Sequence, residues 1–156
     1  MNQIDLIVLN FEEIRRRSIK VWNAIPSNML DWKPDDEALS CAEMIRHVLE
    51  GEYIYLQILQ NGGSIANPEN PYSLREFTSV EEELERSKPF RHEFISYLKS
   101  IDSKDLEHVK IDRSDVGYIR SLGDMLLRVA YHESVHTGQL LDYMRTMKIE
   151  RPTIWD

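Results

Sequence analysis

The sequence predicts an all-α fold, a four-helix bundle with long inter-helix connections. Three observations predict it. Apolar residues recur at steps of three and four along four separate stretches, each bounded by start or stop signals. No stretch alternates convincingly as a strand would. Each helical stretch spans ~20–27 residues, a rod of ~30–40 Å that can bury its stripe only against its fellows. The chain has 156 residues, and a single domain over 1–156 is expected.

The first helix is expected from about Gln3 to Ile25, with Ile4, Ile7, Val8, Phe11, Ile14, Val21 and Trp22 on its apolar side and Pro26 as its stop. The second starts at Ser40, where Ser40 and Glu43 form a capping-box pattern, and ends at Asn61-Gly62-Gly63. A long connection with two prolines follows, Ser64 to Phe77, of a length that suggests a functional or partner surface. The third helix begins near Thr78 or Ser79, and Pro89 inside it predicts a kink or a break. Residues 102–120 are polar and aperiodic and read as a short irregular excursion. The fourth helix starts at Ser121 and runs to about Met147.

Composition narrows the function. Apolar residues make up 42% and charged residues 29%, an ordinary globular balance. No run of 18 apolar residues exists, so no membrane partner is expected, and the N-terminal charges stand in the wrong order for a signal peptide. The single cysteine, Cys41, cannot form an internal disulfide, which predicts a cytoplasmic protein and no thiolate metal site. With a net charge of −8, the chain lacks the basic footprint that nucleic acid requires. Arg15, Arg16 and Arg17, the densest basic group, read as a solvated helix face beside Glu12 and Glu13.

The histidines carry the chemistry. In the last helix Leu122, Met125, Leu126, Val129, His132, His136, Leu140, Tyr143 and Met147 follow one another at three and four residues, so both histidines are expected on the core-facing stripe. In the second helix His47 shares a face with Met44, Ile54 and Ile58. Gly51 lies one turn beyond it and leaves room for an ion, a water or a ligand. Buried imidazoles need partners, and a metal ion between His47, His132 and His136 supplies one for all three. His92, among charges, and His108, in the irregular segment, are expected at the surface.

His132-Glu133-Ser134-Val135-His136 also matches the H-E-x-x-H pattern of zinc proteases, in which the glutamate activates water. The carboxylates downstream, Asp142, Glu150 and Asp156, are poorly placed as a third ligand, and the protease reading is disfavoured. Glu133 is one residue, ~100°, away from His132 around the helix and is expected to face away from the ion.

The string Tyr131–Pro152, with its His-x-x-x-His pair followed by Gly138-Gln139, resembles the last helix of the DinB/YfiT-like superfamily. Asp31-Trp32-Lys33-Pro34 and the later Leu39-Ser40, Glu43 and His47 resemble that family's first motif region. The resemblance covers nearly the whole chain. It implies a metal-binding four-helix bundle, often a homodimer, with His47, His132 and His136 at the ligand positions. Some relatives carry glutamate where His132 stands. Gln139 is implied either as a support for the ligands or as a structural residue. Some relatives transfer low-molecular-weight thiols such as bacillithiol to electrophiles, and others isomerise small acids. An enzyme acting on a small-molecule substrate, a thiol S-transferase in type, is therefore expected. A hydrolase using metal-activated water and a non-catalytic metal- or ligand-binding bundle remain open. Three imidazoles suit zinc or nickel, with copper, iron or manganese open by availability. Trp32, Tyr53 and Tyr72 are candidates for shaping the pocket, with ordinary packing as their alternative role.

Overall fold

Four long helices carry most of the chain in the computed structural model, which describes residues 1–156. They are α1 (Gln3–Ala24), α2 (Cys41–Asn61), α3 (Val80–Ser100) and α5 (Leu122–Thr146); the short α4 (Asp105–His108) lies between α3 and α5. α1 packs on α3 and α5, and α2 packs on the same two from the other side, which closes a ring of four. No helix is long and apolar enough to cross a membrane.

The helix starts follow from local hydrogen bonding. Ser40 Oγ accepts the Glu43 N–H at 3.2 Å, and the Glu43 carboxylate accepts the Ser40 N–H at 2.7 Å. That is the expected box, and it satisfies two N–H groups that a helix start leaves open. Asn2 and Asp5 form a second box at the start of α1, each contact 2.9 Å, with asparagine in the place of the more familiar serine. Ser79 and Ser121 cap α3 and α5. α2 stops at Gly62, whose φ of 70° is left-handed and favours glycine.

Two expectations are corrected. α3 runs unbroken through Pro89. Pro89 and Glu85, whose carbonyl loses its N–H partner, are both exposed, so water can replace the missing bond. The polar segment 102–120 is not irregular. It holds α4 and an antiparallel hairpin of β1 (Lys110–Arg113) and β2 (Tyr118–Ser121), with Lys110 opposite Ser121 and Arg113 opposite Tyr118. Strands of four residues are too short for alternation to register, and in β1 only Ile111 is buried. The turn is signalled by Gly117, which adopts φ 95°.

The hairpin is clipped to the end of α2. Asp112 donates its N–H to Gly62 O at 2.9 Å, and Ser64 donates to Asp112 O at 3.1 Å. A Cβ on Gly63 would lie 2.4 Å from that same Asp112 oxygen, so no side chain fits. Buried side chains fall into two groups. One centres on Phe11 and Phe94, whose rings meet edge-on at 5.0 Å, with Ile111 and Met125; the other holds Trp22, Ile45, Tyr72, Leu140 and Met144. Each such side chain contributes roughly 1.5–3 kcal/mol when fully buried. Tyr72 roots the long α2–α3 connection in this second group.

Candidate metal centre

The buried stripe of α5 begins as expected, with Leu122, Met125, Leu126 and Val129, and then departs from the expectation. It continues through Glu133 and Thr137, not through His132 and His136, before reaching Leu140 and Met144. Both courses have helical spacing, and the difference lies in the partners available. Glu133 and Thr137 face α1. There Arg15 donates to both Glu133 oxygens, at 2.8 and 3.0 Å, and Ser18 Oγ lies 2.7 Å from Thr137 Oγ1. Arg15 also reaches Glu52 of α2 at 3.1 Å, and Arg91 of α3 pairs with the same Glu52. Burial opposes the charge on Arg15, and Glu52 and Glu133 outweigh it, so the guanidinium stays firmly protonated. Burial likewise opposes ionisation of Glu133, but Arg15 outweighs it and holds the carboxyl below its ordinary range.

The reading of Arg15 as part of a solvated face is therefore corrected: it is 6% exposed and sits on the inward face of α1 with Phe11, Ser18 and Trp22. A carboxylate from each of two other helices makes that burial tolerable. The inward spacing of residues 11, 15, 18 and 22 was a signal for this position. Arg16 and Arg17 do remain near the surface, where they hold the chain end: Arg17 donates to Ile154 O at 2.9 Å and Arg16 to Asp156 O at 3.0 Å.

His132 and His136 flank the stripe, half-buried, and face α2. His47 meets them there. His47 Nε2 lies 3.0 Å from His132 Nε2, and His136 Nε2 lies 3.1 Å from it. Donor atoms of all three fall within 4.8 Å of one another. His132 Nε2 can offer one proton or one lone pair, so it cannot satisfy both neighbours by hydrogen bonding. A cation among the three would use every lone pair, and tetrahedral ligands at ordinary zinc–nitrogen lengths stand roughly 3.3 Å apart. The donor set fits a divalent ion.

Electrostatics favour the neutral, ligand-competent rings of His132 and His47. Burial, then the neighbouring His136 and His47, pushes the His132 pKa down to about 4. Burial first, then His136, lowers that of His47, with Glu50 opposing. Gln139 Oε1 accepts the Nδ1–H of His136 at 2.6 Å, which directs the Nε2 lone pair toward the other two rings. The space left by Gly51 is filled by His132 itself, whose Cε1 would lie 3.1 Å from a Cβ at that position.

A cleft of about 200 Å³ opens beside His47 and His132, lined by Glu50, Gly51, Ile54, Tyr55, Ile58 and Arg113. The aromatic residue at the site is Tyr55, 6.0 Å from the His132 ring and two turns from His47 on the same face. Tyr53 packs on Phe90 at 4.9 Å, Trp32 on Tyr143 at 5.3 Å, and Tyr72 is in the core, so none of the three lines this cleft. His92 and His108 are exposed, as expected. A larger groove of about 700 Å³ between α1 and α3 touches none of the three histidines and gathers no comparable donor set. Glu133 faces α1, away from the histidines, so the protease role of an H-E-x-x-H glutamate is not open to it.

A family model described as the DinB superfamily matches residues 10–140. Among solved structures, the chain is similar to a DinB-like protein, YjoA, from Bacillus subtilis. The two share 21% identity, 96% of each chain is covered, and the TM-score is 0.71. That likeness speaks for the fold. A comparison with curated proteins gives no match.

Proposed function

This chain belongs to the DinB superfamily, and from that premise we propose that it binds one divalent metal ion through His47, His132 and His136 and acts on a small molecule. Zinc or nickel is the ion this reading favours. The superfamily is commonly metal-binding, which supports it. The observation that carries the proposal is the convergence of three Nε2 atoms beside an open cleft. Three imidazoles leave a coordination position free, as catalytic sites do and closed structural sites do not.

The reaction we favour is transfer of a small thiol to an electrophile. When bound, the ion supplies Lewis acidity, which lowers the pKa of a thiol or a water brought against it. The chain's own residues do the rest. Gln139 fixes the ring of His136 through its Nδ1–H, and the low pKa of His132 keeps that ring free of a second proton at neutral pH. Ile54, Tyr55 and Ile58 give the cleft an apolar wall against which a substrate can shed water.

Metal analysis of protein purified without a polyhistidine tag tests the first part, with near-equimolar zinc or nickel expected and none expected in His47→Ala. A thiol-plus-electrophile screen tests the second. A second reading has its own observation in its favour: the ligands come from two helices, so an ion would also staple α2 to α5. Sharply lower melting in His47→Ala with no turnover in any screen would select that structural role.

We further propose that the protein assembles with a second copy of itself. Leu127, Tyr131 and Val135 recur every four residues on the outer face of α5 and are 59%, 69% and 39% exposed; Leu6 of neighbouring α1 is 58% exposed. Exposed apolar residues aligned along one helix face in this way support an interaction surface.

A further inference from the structure

Arg113 lines the histidine cleft, although it comes from neither of the helices that carry the histidines. It ends β1, in the hairpin that Gly62, Gly63 and Ser64 clip to α2. Its guanidinium is fixed by neutral groups. Nε donates to Ser64 Oγ at 3.2 Å, Nη1 donates to Tyr118 Oη at 3.1 Å, and the group lies 5.6 Å from the centre of the Tyr118 ring. No carboxylate pairs with it, whereas the buried Arg15 and the half-buried Arg46, Arg86 and Arg91 are all paired. Arg120 and Arg128 also stand over Tyr118, at 5.3 and 4.8 Å, and of these only Arg120 has an acidic partner, Asp124. Of the three, only Arg113 lines the cleft, where an acid, Asp115, is reached through the Ser64 hydroxyl that donates to it at 2.6 Å, so Arg113 is a cation held there without a direct counter-ion.

We propose that Arg113 is the specificity-determining residue of the cleft and that it selects a small substrate bearing one carboxylate. The planar fork of arginine suits a carboxylate, and a preoriented guanidinium loses little freedom on binding one. Glu50 shares the lining and works against ligands of higher negative charge, which sets a monocarboxylate above a phosphate dianion. Ile54 and Ile58 accommodate a short aliphatic stem between the anionic group and the reactive end at the histidines. The inference rests on the histidine cleft being the ligand site proposed above, and the test separates the two.

The probes are 3-mercaptopropionate and its neutral amide, titrated into zinc-loaded protein by calorimetry, with inorganic phosphate as a third ligand. The carboxylate is expected to bind about tenfold or more tighter than the amide, the worth of one charge-assisted hydrogen bond. In Arg113→Gln that preference disappears while zinc content stays at the wild-type level; Arg113→Lys, which keeps the charge and loses the fork, retains part of it. Equal binding of acid and amide by the wild type overturns the proposal, as does an undiminished preference in Arg113→Gln or tighter binding of phosphate. Should zinc not be taken up, the metal reading fails by itself. The arginine is then judged in metal-free protein by the Nε–H resonance of Arg113, which should shift saturably with propionate and not with propionamide. An unmoved resonance overturns the inference, and so settles it even if Arg113→Gln does not fold.

Discussion

His136 is addressed through both nitrogens of its ring. Nδ1 donates to Gln139, and Nε2 points at His132 and His47. Gln139 is exposed, so its removal should leave the fold alone. We predict that Gln139→Leu weakens zinc binding about 10- to 100-fold, the usual cost of losing a ligand's supporting hydrogen bond, with melting unchanged; a chelator competition titration measures it. His132 gives a second expectation. Its folded-state pKa of about 4 lies below the ordinary value of 6.5, so the unfolded chain binds that proton more tightly. The stability contributed by the neutral ring is therefore complete above pH 6.5 and lost as pH falls toward 4. In chelator-treated protein the melting temperature should fall over this window more steeply for the wild type than for His132→Asn. Parallel slopes would remove the assignment. Bound metal should be released over the same acid range, because protonated imidazoles cannot ligate. At this scale the meeting of the three imidazoles was legible from the pair four apart and the third on a separate helix, although His132 and His136 flank the buried stripe and do not lie on it. Gly51 was half legible. Its missing side chain signalled room for an ion, a water or a ligand, but packing shows that the His132 ring fills the space.

Helix α5 presents one face to each neighbour, imidazoles toward α2 and a carboxylate with a hydroxyl toward α1. Sequence spacing alone could not separate these faces, because residues 132 and 136 and residues 133 and 137 are both one turn apart. The deciding fact was Arg15, whose three-arginine run reads as solvent-facing until α1 is seen to put Phe11, Arg15, Ser18 and Trp22 on one side. Arg15→Met should lower unfolding free energy by about 3–5 kcal/mol in urea, because Glu133 and Glu52 would be left buried with too little positive charge. A loss below 1 kcal/mol would mean that water reaches the pair. The clip between α2 and the hairpin is equally testable. In Gly63→Ala the new methyl meets backbone, which cannot swing aside, so the bridge to Asp112 should open. Overpacking of that kind costs about 1–3 kcal/mol, and hydrogen exchange at Ser64 and Asp112 should report the opening.

Across the whole molecule, the sequence made the four long helices visible and hid what joins them. Long helices announce themselves through repeated spacing and capping residues such as Ser40 and Ser121. The hairpin of residues 110–121 has one inward residue in β1 and depends on a glycine contact made with a distant segment, so nothing local distinguishes it from a polar loop. Assembly belongs to this scale too. Tyr131→Glu should convert a dimer to monomer in sedimentation velocity without altering zinc content, since Tyr131 is 69% exposed and lies on the outer face of α5. A wild-type protein that sediments as a monomer at high concentration would end that proposal.

The grip of Arg15 on both oxygens of Glu133 reaches further than its own energy. It works as a key in a shaft, fixing the rotation of α5 about its axis. Glu133 sits between the two histidines in sequence, so that rotation also sets where their rings point. Tightness of folding and sharpness of the histidine cluster are thus geared together on this side of the protein. A change that unseats the key should blur both, while a change at Gln139 blurs one alone.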